Sequence, residues 1–194
     1  FSRGSSLSSS CNGRRSFGTA RFEKKLMPEN VQRYFLEMQS KNDLMPVECG
    51  IFNLKVEEIG KEDPAFCKFL YQKIGEDFHW KDRLFWSVEQ WKNYLSSEKL
   101  KFYTAYVGDE PAGYYEYLNH SDKGEVELTY FGIFKKFFGK KLGGYLLSHA
   151  LKNAWSHNPK RVWVHTCTLD HPNALRNYIA RGMNIFKKEN IKVV

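Results

Sequence analysis

Apolar residues recur along this chain at two spacings, three-to-four and two, and the changes between them outline its elements. Val31, Tyr34, Phe35 and Met38 step at three and four after Pro28, a residue suited to a first helical turn, so a helix is predicted over 28–41. Alternation over 51–56 predicts a strand. Asp63-Pro64 then opens a helix that carries Phe66, Phe69, Leu70 and Ile74 on one face and closes at Gly75. Ser87, with Gln90 three residues on, has the signature of a capping box for a short helix through Trp91 and Leu95. Runs over 102–107 and 112–118 flank Gly108-Asp109-Glu110-Pro111 and predict a hairpin, and a second turn at 120–123 leads to a strand over 126–133. These three strands read as an antiparallel meander. Leu142, Leu146, Ala150 and Ala154 repeat at four in the clearest helix, which Asn158-Pro159 ends. A strand over 161–167, a helix from His171 to Arg181 stopped by Gly182, and a last strand over 183–187 complete the chain.

Composition narrows the class. The 194 residues are 42% hydrophobic and 27% charged, which suits one globular domain over 26–194, and the longest apolar runs are too short to cross a membrane. Aromatics at 16% favour a pocketed α/β enzyme over a bundle. Four scattered cysteines without a CxxC pair suit a reducing compartment, and the expected location is the cytoplasm. Residues 1–25, rich in Ser, Gly and Arg, read as a disordered leader or a cloning remnant, with an organelle transit peptide as the alternative. Of the net charge of +8, +5 falls in that stretch, with six basic residues against Glu23. The remaining +3 makes nucleic acid an unlikely partner but suits an anionic cofactor.

The stretch 130–144 is the most informative. A strand runs into a turn holding Gly139, Gly143, Gly144 and the lysines Lys135, Lys136, Lys140 and Lys141, and the turn runs into the clearest helix. Glycines allow close approach of backbone to a ligand, and free amides at a helix start bind phosphate. GxxxxGK[ST] and GxGxxG are both absent. The same residues also describe a plain solvated basic turn.

Two segments carry a resemblance. Lys136-Phe137-Phe138-Gly139-Lys140-Lys141 falls in register with the [Q/R]-x-x-G-x-[G/A] signature of the GNAT superfamily of acyl-CoA-dependent N-acetyltransferases, with Lys136 in place of Gln or Arg and Lys141 in place of the small residue. Asn173-Ala174-Leu175-Arg176-Asn177-Tyr178-Ile179-Ala180-Arg181-Gly182-Met183 is similar to that superfamily's N-x-x-A-x-x-x-Y-x-x-x-G-F ending, with Asn173 directly before its alanine and so at a tighter spacing. The resemblance implies a GNAT-like α/β (α+β) fold with a mixed, mostly antiparallel sheet flanked by helices. It also implies acetyl-CoA as co-substrate and acetyl transfer to a small-molecule amine through a ternary complex. Phe131, Ile133, Phe138, Gly139, Lys140, Lys141, Leu142, Gly143, Gly144 and Asn173 are then the expected cofactor contacts. Lys141 keeps a second reading open, a non-catalytic acyl-CoA-binding or interaction module. A homodimer is left open too.

Acetyl transfer needs a neutral amine, a polarised thioester oxygen and a proton for the departing thiolate. Tyr178, matched by register to the tyrosine near the thioester sulfur, is the expected acid, since a phenol is a donor at neutral pH. Glu127, a carboxylate between Val126 and Leu128, is the expected base, with Glu116 as its rival. Trp80, Asp82, Arg83 and Glu116 are expected beside the acceptor, with Arg83 pairing with a carboxylate on it. His165, Cys167 and His171 lack a fourth ligand, so no metal is expected.

Overall fold

A computed structural model of the chain describes residues 30–59 and 62–192. Its elements run β1 (Val31–Met38), β2 (Leu54–Glu58), α1 (Pro64–Gly75), α2 (Val88–Leu95), β3 (Leu100–Val107), β4 (Glu110–His120), β5 (Glu125–Ile133), α3 (Leu142–Trp155), β6 (Arg161–Cys167), α4 (Ala174–Ala180) and β7 (Asn184–Ile191). The strands form one seven-stranded sheet in the order β2-β3-β4-β5-β6-β1-β7. Every pairing is antiparallel except β5 with β6. The expected mixed, mostly antiparallel sheet with flanking helices is therefore present, and the β3-β4-β5 meander lies at its centre.

The helix expected over 28–41 is corrected to a strand. Val31, Tyr34, Phe35 and Met38 fit a helical step, but Tyr34, Leu36 and Met38 also alternate onto one face of β1, against the main core. Pairing with β6 on one edge and β7 on the other gives β1 a full set of backbone partners, which local periodicity cannot foresee. β2 starts at Leu54 rather than at 51, because Asn53 turns the chain at φ 54°. The last strand extends to Ile191. The stretch 1–25 lies outside the described residues.

Both expected caps form. Asp63 accepts from the Phe66 amide at the start of α1, and Ser87 with Gln90 completes the capping box of α2. α3 buries Leu146, Leu147, Ala150 and Leu151 against Val126, Leu128, Val162 and Val164 of the central strands, while Leu142 at its start packs with Ala112 and Phe137. Each fully buried leucine stabilises the fold by about 1.5–3 kcal/mol. α1 and α2 cover the opposite face through Leu70, Tyr71, Ile74, Trp91 and Leu95, which meet Phe102 and Tyr114. No helix among the described residues is long and apolar enough to cross a membrane.

Gly182 ends the α4 segment at φ 94°, and a Cβ there would lie 1.9 Å from the carbonyl oxygen of Asp43. Gly182→Ala must strain the backbone and also displace that neighbour, so a loss of about 1–3 kcal/mol is expected, read as a lower midpoint in denaturant at unchanged slope.

Candidate active site

The parallel pair β5–β6 holds together only from Glu125↔Arg161 to Leu128↔Val164. Beyond that point the strands part, and two features explain it. On β5, Leu128 and Tyr130 face consecutive residues of β4, Tyr117 and Glu116, so Thr129 is an extra residue that bulges the strand. The Thr129 hydroxyl donates to the Glu116 carbonyl at 3.1 Å and to its carboxylate at 3.2 Å, which holds the bulge in place. On β6, His165 to Cys167 pair only with β1.

The gap widens into a cleft of about 800 Å³. Phe134 donates its amide to Ala112 of β4, so strand alternation turns the amides of Phe131 and Ile133 towards the gap. Phe131, Ile133, Phe138, Gly139, Lys141, Leu142, Gly143, Gly144, Asn173, Trp80, Asp82, Arg83, Glu127 and Tyr178 all line the cleft. Of the residues expected from the sequence, Lys140 and Glu116 do not.

At one end stands the start of α3. Its N-cap residue, Lys141, takes a left-handed φ of 63° and supplies no side-chain cap. The first-turn amides of Leu142, Gly143 and Gly144 therefore face the cleft without a capping partner, at the positive end of the helix dipole. Gly139 has φ 75° and open space where a Cβ would be. Gly144 serves packing instead, since a Cβ there would lie 2.7 Å from Arg181 Nη1. The four lysines divide. Lys135 pairs with Asp77 at 2.6 Å and Lys136 with Glu110, whereas Lys140 and Lys141 form no ion pair among the described residues. This end suits an anionic pyrophosphate.

Tyr178 on α4 lies deep in the cleft, 5% exposed, edge-on to Phe131. No described side chain hydrogen-bonds its hydroxyl. Burial pushes its pKa well up, and Asp170 adds to the rise, so the phenol stays protonated. Asp170 itself accepts from the Thr166 hydroxyl at 2.6 Å and the Cys167 amide at 2.9 Å, fixing the turn into α4. Asn177 ties α4 to α3 through the Gly143 carbonyl at 3.1 Å.

Across the sheet, on the face covered by α1 and α2, lie the groups expected beside an acceptor. Asp82 accepts from the Tyr130 hydroxyl at 2.9 Å, and Trp80 packs edge-on to the Tyr130 ring. Arg83 is 8% exposed, and its Nη1 lies 2.7 Å from Glu116 Oε1. Nη2 donates to the Tyr94 hydroxyl at 2.9 Å, and the guanidinium lies over the rings of Tyr94 and Tyr130 at 4.0 and 4.6 Å. Glu116 is wholly buried beneath the wall and accepts from Arg83, Tyr94 and Thr129. The structure thus puts the charges of Arg83 and Glu116 on each other rather than on the cleft. Glu127 lines the cleft floor, with His120 Nε2 at 3.3 Å.

The sequence reading missed Arg33, Thr129, Tyr130, His165, Asp170 and Asn177, all of which line the same cleft. Asn177 stands one residue before Tyr178 and was within reach of the motif. Arg33 was hidden by the helix assignment over 28–41. Among the described residues no group of three or more His, Cys, Asp or Glu side chains is arranged to hold a metal.

The sequence pattern of the "Acetyltransferase (GNAT) family" matches residues 67–183. A search of curated protein sequences gives no match. Several solved structures share the fold. An aminoglycoside acetyltransferase from an uncultured soil metagenomic sample, in complex with trehalose, aligns with a TM-score of 0.57 at 15% identity, over 66% of this chain and 87% of its own. A GCN5-related N-acetyltransferase from Sphaerobacter thermophilus aligns with a TM-score of 0.62 at 13% identity, over 86% of this chain and 53% of its own. One from Kribbella flavida gives 0.58 at 13% identity, over 82% and 58%. Identities this low speak for a common fold alone.

Proposed function

Because the chain belongs to the GNAT acetyltransferase family, we propose that it transfers an acetyl group from acetyl-CoA to the amine of a small molecule, with both substrates bound at once. The observation that carries this reading is the cleft itself. It joins an uncapped helix start at one end to an unpartnered, protonated tyrosine in its depth. Acetyl-CoA would supply an activated acetyl thioester. The amides of Leu142, Gly143 and Gly144, with Gly139 leaving room and Lys140 and Lys141 adding charge, hold its pyrophosphate. Phe131 and Ile133 offer backbone amides along the gap, one of which polarises the acyl oxygen. Asn173, exposed at the start of α4, contributes from the rim.

Glu127 takes the proton from the acceptor amine, directly or through water, with His120 steadying its carboxylate. Tyr178 donates its phenolic proton to the departing thiolate. Trp80, Asp82 and Tyr130 form the acceptor wall, and the Arg83–Glu116 pair supports that wall from behind.

The test is CoA binding. A ligand that binds only the native state at about 100 times its Kd stabilises by about 2.7 kcal/mol. For a chain of this size that is a rise in Tm of roughly 5–10 °C. Gly139→Glu, which sets a carboxylate in the pyrophosphate turn, is expected to abolish the rise. No shift with saturating CoA, and no thiol release from acetyl-CoA with any amine of a broad panel, would sink this function.

A further inference from the structure

The acceptor face of the cleft carries an arginine that forms no ion pair among the described residues. Arg33 of β1 lies directly opposite Cys167 of β6, and both line the cleft. The Arg33 Nε is buried without a hydrogen-bond partner, and its guanidinium forms no ion pair with any described residue. Its neighbour across the other edge, Glu189, feels the Arg33 charge but forms its ion pair with Lys187. Arg83, by contrast, is already neutralised by Glu116. A half-buried guanidinium with no partner is costly unless something anionic completes it.

Register fixes where that charge stands relative to the base. Glu127 pairs with Trp163, and Arg33 with Cys167. Trp163, His165 and Cys167 point to one face of β6, so Arg33 and Glu127 share that face with His165 between their registers. Four residues along β6 and two strand spacings separate the two Cα atoms, about 13 Å by about 10 Å. Desolvation by the cleft walls is the main cause of the net fall in the His165 pKa; Arg33 lowers it too, while Glu127, Asp170 and Asp82 raise it. Neutral His165 therefore lies between a cationic and an anionic group with long, flexible side chains.

We propose that Arg33 is a specificity-determining residue that binds a carboxylate on the acceptor, so that the substrate class is an amine carrying a carboxylate, as in amino acids. This rests on the acetyl-transfer reading and names the acceptor class of the same site. The two ends of the acceptor meet opposite charges, its carboxylate on Arg33 and its amine on Glu127. Arg33 takes no proton and touches no reacting atom, so its loss acts on acceptor affinity rather than on the chemical step.

The experiment is calorimetric titration of the twenty free amino acids, each beside its amide, into the full chain with and without saturating CoA. At least one free amino acid is expected to bind about tenfold or more tightly than its amide. Arg33→Gln is expected to weaken that amino acid about 10- to 100-fold, the worth of a charge-assisted hydrogen bond, and to erase its advantage over the amide. Arg33→Lys is expected to keep part of it, since it keeps the charge and loses the fork. CoA affinity serves as the folding control for both variants. If no free amino acid outbinds its amide, or if Arg33→Gln leaves the preference intact, the inference is overturned. CoA binding with transfer only to amines lacking a carboxylate overturns it while leaving acetyl transfer standing. Absence of CoA binding overturns acetyl transfer itself.

Discussion

Tyr178→Phe is expected to lower the rate of acetyl transfer by roughly 10²- to 10⁴-fold, the range for loss of a general acid. The ring keeps its contact with Phe131, so the cleft keeps its shape. The hydroxyl has no partner among the described residues to strand, so removing it costs the fold little. CoA affinity and Tm are expected to match the parent, and the loss to fall on kcat and kcat/KM together, the mark of an interaction made in the transition state. The parent should also show no alkaline decline from this group near pH 10, the ordinary tyrosine value, because burial raises the Tyr178 pKa above it. Pre-steady-state measurement of thiol release, so that chemistry rather than product release is read, checks the claim. Parent-like single-turnover rates in Tyr178→Phe would remove it from the mechanism, and would favour the reading of the chain as an acyl-CoA-binding module if the parent rate were also negligible.

Arg83→Met is expected to cost about 3–5 kcal/mol, because it leaves Glu116 buried with its charge unmatched. For a chain of this size the fall in Tm is roughly 10 °C. Burial alone pushes the Glu116 carboxyl up, and Arg83 with the hydroxyls of Tyr94 and Thr129 pulls it back, so loss of Arg83 removes the main counterweight. Glu116→Gln is expected to cost less than Arg83→Met. Its amide oxygen still accepts, and the guanidinium left behind keeps the faces of Tyr94 and Tyr130. Arg83→Met combined with Glu116→Leu is expected to recover most of the loss, since two apolar groups of similar volume leave no stranded charge. A double-mutant cycle in urea measures this. Additive costs would show that the two residues do not act as a pair. Acceptor KM is expected to rise in Arg83→Met even where the fold survives, because Tyr130 and the Asp82 it holds lose their backing.

The end of the cleft proposed to hold the cofactor was legible in the sequence because it is built from neighbours in the chain. Gly139 through Gly144 form one turn and the first turn of one helix, and the six-residue motif over 136–141 runs directly into that helix. Tyr178 was legible for the same reason. Its place follows from the spacing within α4 to Gly182, the glycine that ends it. The acceptor end was read less well. Asp82 and Arg83 are adjacent in sequence and both line the cleft, yet Arg83 sets its charge on buried Glu116, 33 residues on, while Asp82 accepts from Tyr130. Nothing in the charges of the loop distinguishes them.

The sequence by itself determined the elements whose signals are local: capped α1 and α2, the meander, the amphipathic α3 and the strands around it. Their caps, turns and apolar spacing act within a few residues of one another, so they can be read without knowing the fold. Tertiary structure alone decided that 31–38 is a strand, since its two sets of backbone partners come from β6 and β7, more than a hundred residues away. It also decided where β5 and β6 part, because the Thr129 bulge exists only as a register against β4. It decided which arginine carries a free charge, because pairing of a buried ion depends on what the fold brings beside it. Arg83 found Glu116, and Arg33 found no ion-pair partner among the described residues, though both are arginines in a basic chain.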